Sequence, residues 1–139
     1  SRLGWALAPE VDAVVVQLGG NDFLRAIDPA VSRDNLRGIL EGLAERALPV
    51  LLVGIDASGQ YGPDYEAAFD GLYPALAEEF GAALVADFFA PLRDGGSLDA
   101  ALREFMQPDG IHPNAAGVER VVAESLGPAT LALARAAGG

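Results

Sequence analysis

Three short apolar runs, separated by segments with helical periodicity, constrain the fold of this 139-residue chain more than any other feature. The first run, residues 12–18 (DAVVVQL), shows no polar alternation before Gln17, which is typical of a strand buried on both faces of a parallel sheet. Residues 50–55 and 83–86 are also apolar and predict two further strands. Parallel strands require crossover connections, so the segments between them should be helices.

The intervening segments have the helical patterns that this arrangement needs. Asp28 and Pro29 are a favourable pair at the start of a helix that is expected to run to about residue 47. Apolar side chains recur at helical spacing from Tyr65 to Phe80, and Gly81 is expected to end that helix.

Helical patterns also flank the three strands. Leu3, Ala6 and Leu7 could line a helical face that ends at Pro9. A short helix is predicted over 98–105, and Asn114 should cap a final helix that Pro128 kinks or splits. The order β-α-β-α-β-loop-α predicts one α/β domain over residues 1–139, a three-layer α/β/α sandwich with a parallel sheet.

Composition excludes several kinds of chemistry. The chain has no Cys and one His, and all nine of its basic residues are Arg. Disulfides, thiolate nucleophiles, zinc ribbons and lysine Schiff bases are therefore excluded, and any imidazole chemistry belongs to His112. A net charge of −11 argues against nucleic-acid partners and anionic membranes. No apolar run is long enough to cross a bilayer, so we expect no stable membrane insertion.

We expect neither a metal site nor a cofactor. A carboxylate metal site would need clustered acidic residues, but the 20 acidic residues of this chain are scattered and form no EF-hand-like run.

Two polar motifs should meet at the carboxyl edge of the sheet, where ligands bind in open parallel sheets. Residues 19–22 (GGND) directly follow the first predicted strand, and residues 109–113 (DGIHP) directly precede the last helix. Each motif also has a plain structural interpretation, because glycine turns and short Asp/His patterns are common.

In the second motif, Asp109 and His112 are three residues apart across a turn opened by Gly110. This spacing can place the carboxylate against one imidazole nitrogen, which fixes the tautomer and leaves the other nitrogen as a general base. Pro113 keeps His112 out of helical geometry. The alternative is that Asp109 only caps a turn and His112 is an ordinary loop histidine.

In the first motif, the Asn21 amide could donate a hydrogen bond to an oxyanion. Gly19 and Gly20 would allow a tight exit from the strand and a close approach of substrate. The alternative is a glycine turn in which Asn21 and Asp22 occupy ordinary turn positions.

Together the two motifs resemble two sequence blocks of the SGNH (GDSL-type) hydrolases. The similarity extends over VVVQLGGNDFLRAIDP, QYGPDYEAAFDGLYPALAEEFG and MQPDGIHPNAAG, and is greatest to the arylesterase and thioesterase I/lysophospholipase branch. It implies a flavodoxin-like sheet and hydrolysis of a small acyl ester. It also implies that His112 is the general base, Asp109 its orienting acid, Asn21 an oxyanion donor and Gly20 a residue that shapes the backbone.

The resemblance assigns weaker roles to two loops. Residues 23–28 correspond to a substrate-contacting loop, and residues 56–64 to a second wall of the acyl site. Phe23, Leu24 and Tyr61 are the candidate contact residues, with simple loop packing as the alternative for each.

The nucleophile of these hydrolases is the serine of a G-D-S block, and no G-D-S occurs in this chain. None of the five serines (Ser1, Ser32, Ser58, Ser97 and Ser125) has that motif around it, and the family's second-block glycine has no counterpart. We therefore expect a C-terminal portion of an esterase, completed by an N-terminal segment from a separate chain, a cleaved peptide or a swapped copy. The isolated chain should be inactive, and strand 12–18 should lie at a sheet edge.

Two questions stay open at this point. A non-catalytic α/β module that keeps the fold but lacks the nucleophile would show the same two motifs. Location is also open: the resemblance favours the periplasm or secretion, while the absence of Cys is equally compatible with the cytoplasm.

Overall fold

The structure, a computed structural model, describes residues 7–57, 59–93 and 98–138. Its sheet contains the three predicted strands, β1 (Val14–Gln17), β2 (Val50–Val53) and β3 (Ala83–Val85). They are parallel and ordered β1-β2-β3, with Val16 opposite Leu52 in the register. Each strand is shorter than its apolar run, because the flanking residues extend into connections beyond the ladder.

The helices lie between and after the strands. They are α1 (Gly20–Leu24), α2 (Pro29–Ala44), α3 (Pro63–Phe80), α4 (Ala90–Arg93), α5 (Leu98–Phe105), α6 (Ala115–Val121), a π-helical turn (Val122–Leu126) and α7 (Gly127–Gly138).

Helices cover both faces of the sheet, which confirms the predicted three-layer α/β/α architecture. On one face, α2 and α3 bury a continuous cluster against Val16 of β1 and Leu52 of β2. That cluster comprises Leu36, Leu40, Leu43, Phe69, Leu72, Tyr73 and Leu76. On the other face, Leu133 of α7 packs with Leu51 and Val53.

Strand β1 differs from its prediction in one respect: it is not buried on both faces. Val16 points toward α2 and α3 and is 5% exposed, whereas Val15 points to the opposite face and is 45% exposed. β1 lies at the edge of the three-stranded sheet, and α7 packs over β2 and β3 instead. The apolar run therefore has more hydrophobic surface than the described residues cover.

The ends of the two long helices follow from their terminal residues. The Asp28 carboxylate accepts a hydrogen bond from the Ala30 N–H at 2.9 Å, which confirms the predicted N-cap of α2. Helix α2 ends at Ala44 rather than near residue 47, because Ala47 has a positive φ of 53° and cannot continue a right-handed helix. Gly81 ends α3 in the left-handed conformation, as predicted.

The structure describes only one of the three apolar residues that were expected to line the first helix, but all of the last helical segment up to residue 138. Leu3 and Ala6 lie outside the described residues, while Leu7 is not helical and its carbonyl accepts a hydrogen bond from Arg46. Near the other end of the chain, Asn114 caps α6 by accepting from the Gly117 N–H at 3.0 Å. The disruption expected at Pro128 takes the form of the preceding π-helical turn, since proline has no N–H to continue the regular ladder.

Candidate active site

Residues 19–22, here termed the Asn21 block, leave β1 through a tight turn. Gly19 has a φ of 110°, a conformation that side-chain-bearing residues rarely adopt. The sequence predicts a loop at this point, but Gly20 to Leu24 form the short helix α1, because the Phe23 N–H donates to the Gly19 carbonyl at 2.9 Å. Asn21 lies in the first turn of that helix, with an exposed side chain.

Tyr73 of α3 accounts for the glycine at position 19. Its ring is fully buried, and its hydroxyl donates to the Leu18 carbonyl at 3.0 Å. A Cβ atom on Gly19 would overlap this hydroxyl. The close approach predicted for Gly19 is therefore made by a protein side chain, while a Cβ on Gly20 would meet only Ile55 at an ordinary 3.9 Å.

A second hydroxyl reaches the same block from α2. Ser32 is 1% exposed, and its Oγ donates to Oδ2 of Asp22 at 3.0 Å. Asp22 therefore does more than occupy a turn position, because its hydrogen bond with Ser32 joins the Asn21 block to helix α2.

An aromatic column packs beside the Asn21 block. Successive ring centroids from Phe23 through Tyr61, Tyr65 and Phe69 to Tyr73 are separated by 5.1–5.8 Å. The outer tyrosines also donate to carbonyls of the segment after β1, Tyr61 to Leu24 at 3.2 Å and Tyr65 to Ile27 at 2.9 Å. The sequence does not predict the column, because Tyr65, Phe69 and Tyr73 have the spacing of one helical face while Phe23 and Tyr61 fall in two separate predicted loops.

Asp109 contacts His112 with both carboxylate oxygens. Oδ2 lies 2.8 Å from Nδ1 of the imidazole, and Oδ1 accepts from the backbone N–H groups of Ile111 at 2.9 Å and His112 at 3.0 Å. Gly110, with a φ of 67°, allows the intervening turn. Asp109 thus caps the turn and also contacts the imidazole, as the spacing of the two residues predicts.

These hydrogen bonds determine the charge of Asp109. The backbone N–H of His112, the His112 side chain and the backbone N–H of Ile111 together lower the pKa of the Asp109 carboxyl to about 2. The carboxylate therefore stays ionised throughout the range in which ester hydrolysis is normally measured.

The turn that carries His112, residues 106–113, is closed by backbone contacts between its two ends. Met106 and Pro113 form an antiparallel bridge, and the Gln107 N–H donates to the His112 carbonyl at 2.7 Å. Asn114 adds a side-chain bond to the Glu104 carbonyl at 2.8 Å. His112 is therefore held on a braced turn even though its side chain is 68% exposed.

One cavity of about 810 Å³ brings the two motifs together. Its lining includes His112 and Gly110 of the second motif and Gly19 through Leu24, with Asn21, of the first. Most other lining side chains are aliphatic, among them Leu18, Ile39, Ile55, Leu92, Leu102 and Met106.

Two predicted site residues, Asp109 and Tyr61, do not line this cavity. Asp109 lies behind His112 and does not line the wall. Tyr61 does not line it either and packs edge-on against Phe23, which does. Ile55, Asp56 and Gln60 line it, so the loop over 56–64 contributes to the wall as the resemblance implies.

Neither of the two serines in the described part of the chain is placed as a nucleophile. Ser32 lines the cavity, but its hydroxyl is bonded to Asp22 and it lies within α2. Ser125 lies in the π-helical turn, and Ser1, Ser58 and Ser97 fall outside the described residues.

The sequence also does not predict a carboxylate–arginine cluster near the cavity. Arg93 bonds Asp87 and also contacts Asp56 at 3.1 Å, joining the segments that follow β2 and β3. Asp87 in turn accepts from the backbone N–H groups of Asp56 and Phe89. Charges this far apart in the chain could not be paired from the sequence.

Across the described ranges, no group of three or more His, Asp or Glu side chains is arranged to hold a metal ion. In the same part of the chain, no helix combines the length and the apolar character needed to cross a membrane.

A comparison with known protein families identifies the family of this chain. Residues 1–120 match the GDSL-like Lipase/Acylhydrolase family. The chain belongs to this family. The resemblance found in the Asn21 and His112 motifs is thereby confirmed at the level of the family.

Curated relatives of this GDSL-like chain include Esterase TesA of Pseudomonas aeruginosa, which is 39% identical over 123 residues. Another is thioesterase 1/protease 1/lysophospholipase L1 of Escherichia coli strain K12, 38% identical over 102 residues. The matches include 88% and 73% of this chain, respectively. The chain spans only 58% and 45% of the lengths of these two relatives.

Solved structures confirm the SGNH-hydrolase fold of this GDSL-like chain. The crystal structure of TesA matches 95% of the chain with a TM-score of 0.80 and 38% identity, over 69% of its own length. The SGNH-hydrolase family esterase AlinE4 matches 95% of the chain with a TM-score of 0.69 and 40% identity, over 68% of its own length.

Proposed function

We propose that this chain supplies the base and an oxyanion donor of a serine carboxylic ester hydrolase, whose nucleophilic serine lies on a segment outside the 139 residues. The observation that carries the proposal is that Asn21 and His112, far apart in the sequence, line the same cavity. Family membership supports the reaction class, since the relatives are an esterase and a thioesterase/lysophospholipase by name.

His112 acts as the general base in this proposal. Its Nδ1 is engaged by the Asp109 carboxylate at 2.8 Å, so Nε2 is the nitrogen that accepts the proton of the attacking serine. The negative charge of Asp109 stabilises the imidazolium that results. The imidazolium then delivers the proton to the departing alcohol or thiol, and water repeats the cycle to release the acid.

Asn21 stabilises the oxyanion in this proposal. When serine adds to the acyl carbonyl, negative charge develops on the carbonyl oxygen, and the Asn21 side-chain amide donates a hydrogen bond to it. Gly20 shapes the backbone of the same block, and backbone N–H groups complete the oxyanion site. Removal of one such donor typically costs about 10²–10³ in rate.

The cavity favours an ester with an apolar acyl group. The aliphatic part of its lining would bury hydrocarbon at about 25 cal/mol per Å². We propose that Phe23 and Leu24 contact this acyl group directly. Tyr61 would act on the substrate mainly through Phe23, against which its ring packs at a centroid distance of 5.6 Å.

The exposed edge of β1 is the proposed place for the nucleophile-bearing segment. In the flavodoxin-like strand order 2-1-3-4-5, β1 corresponds to strand 3, so the family's first strand would pair with it, and Val15, now 45% exposed, would gain a neighbour. The carboxyl end of that added strand would reach the same sheet edge as Asn21, which is where a G-D-S serine is needed.

Completion of the chain tests this proposal. The 139 residues would be fused behind the N-terminal segment of Pseudomonas Esterase TesA that carries the G-D-S block, and assayed for hydrolysis of p-nitrophenyl butyrate. We expect turnover by the fusion and a rate near background for the chain alone. The matched control is the fusion with the G-D-S serine replaced by alanine, which should be as inactive as the chain alone.

A folded fusion that binds the ester without turnover would overturn the hydrolase proposal and favour a non-catalytic binding module. The family resemblance further favours export to the periplasm or medium, which fractionation of producing cells would test.

A further inference from the structure

We propose that Ser32 and Tyr73 are positioning residues for Asn21, two buried hydroxyls that fix the Asn21 block from helices α2 and α3. The inference rests on the proposed function of Asn21 as an oxyanion donor and extends it to residues that do not touch the reacting atoms. Neither side chain was among the sequence-predicted site residues.

Asn21 depends on its neighbours for its placement. Its side chain is exposed and, among the described residues, has no hydrogen bond of its own. Its position is therefore set by the backbone on either side. An oxyanion donor has to be preorganised to be effective, and a displacement of about 1 Å can cost on the order of 10²-fold in rate.

Tyr73 fixes the backbone that leads into Asn21. Its hydroxyl donates to the Leu18 carbonyl at 3.0 Å and occupies the space that a side chain at Gly19 would need. The ring is 0% exposed and packs edge-on against Phe69 at 5.8 Å, so the hydroxyl is held in place. Strand β1 consequently ends at a defined position and turns sharply into α1.

Ser32 fixes the other side of Asn21. Its Oγ, on a side chain that is 1% exposed, donates to the carboxylate of Asp22, the residue directly after Asn21. Ser32 belongs to the long helix α2, whose Leu36, Leu40 and Leu43 are buried in the core. Helix α1 is only five residues long and buries none of them, so this bond attaches a weakly packed element to a rigid one.

Both anchors can be removed without changing side-chain shape. Tyr73→Phe and Ser32→Ala each delete one hydroxyl, Ser32→Thr retains it, and Ser125→Ala is a hydroxyl deletion in the distant π-helical turn. In the completed protein we expect each anchor deletion to lower kcat about tenfold or more with KM changed less than about twofold. Ser32→Thr should recover part of the kcat that Ser32→Ala loses, and Ser125→Ala should keep kcat within about twofold of the parent.

A double-mutant cycle with Asn21→Ala separates an effect on the position of Asn21 from an effect on overall stability. If the hydroxyls act through Asn21, deleting either in the Asn21→Ala background should lower kcat by less than about twofold. An undiminished effect in that background, or no effect in the parent, would overturn the proposal.

A readout that is independent of catalysis separates this inference from the proposed function. Side-chain amide order parameters of Asn21, measured by ¹⁵N relaxation, should fall in Tyr73→Phe and Ser32→Ala but not in Ser125→Ala. Unchanged order parameters would contradict positioning even in an active enzyme. A fall in a completed protein without esterase activity would support positioning while refuting the catalytic role of Asn21.

Discussion

Asp109 holds His112 through both carboxylate oxygens, one on Nδ1 of the ring at 2.8 Å and one on the backbone N–H of the same residue at 3.0 Å. A single carboxylate therefore builds the turn and orients the base. The two functions can be separated by a substitution that keeps the shape of the side chain.

Asp109→Asn is that substitution. The amide oxygen can still accept the backbone N–H groups, but the amide N–H would donate to Nδ1 and leave the proton on Nε2, where it blocks base catalysis. We predict a loss of about 10³–10⁴ in kcat for the completed protein, with a thermal midpoint close to that of the parent. A loss below about tenfold would show that Asp109 is only a turn cap.

Asn21→Asp probes the oxyanion donor. The carboxylate has nearly the size of the amide but no N–H group, and its charge would repel the developing oxyanion. We predict that kcat falls by at least the 10²–10³-fold expected for Asn21→Ala, with a smaller change in KM, measured on p-nitrophenyl esters. Activity equal to the parent in either variant would remove Asn21 from the mechanism.

Gly19→Ala tests the contact with Tyr73. The added Cβ would overlap the tyrosine hydroxyl at a positive φ, so we predict a loss of about 1–3 kcal/mol in the free energy of unfolding, measured in urea. In a Tyr73→Phe background the nearest ring atom would be Cζ at 3.4 Å, and the loss should be smaller. Equal losses in both backgrounds would mean that backbone strain alone requires the glycine.

Asp70 makes stability depend on pH. Burial, and then the neighbouring Asp56 carboxyl, raise its pKa to about 6 although it accepts the Ala57 N–H at 2.7 Å. The folded state therefore favours the protonated form, so Asp70 reduces stability increasingly as pH rises from about 4 through 6.

Asp70→Asn keeps an acceptor for Ala57 and removes this titration. Relative to the parent, the variant should become more stable at about pH 7.5 than at about pH 5, as measured by urea unfolding at both values. Ser125→Ala, which changes no titratable group, should show the same difference from the parent at both. A pH-independent effect of Asp70→Asn would contradict the raised pKa.

The sequence predicts best what local patterns determine. The Asp28 cap, the Gly81 terminus and the alternation of strands and helices follow from side-chain type and spacing, and all are present. The Asp109–His112 contact was predictable for the same reason, because three residues and a glycine turn fix its geometry.

What depends on tertiary contacts could not be predicted. Tyr73 has the spacing of a core residue, and only the packing of α3 against β1 reveals that its hydroxyl reaches Leu18. The exposure of Val15 is likewise decided by which strands and helices lie beside β1 and not by its own sequence.

The central claim is that His112 is the base for a serine supplied from outside these residues, at a site that Asn21 completes. The most direct test is the hydrolysis rate of p-nitrophenyl butyrate by the completed protein and its His112→Ala variant. We predict that the parent turns over and that the variant loses about 10⁴–10⁶ in kcat while remaining folded. A folded His112→Ala variant that retains kcat within about tenfold of the parent would contradict the account.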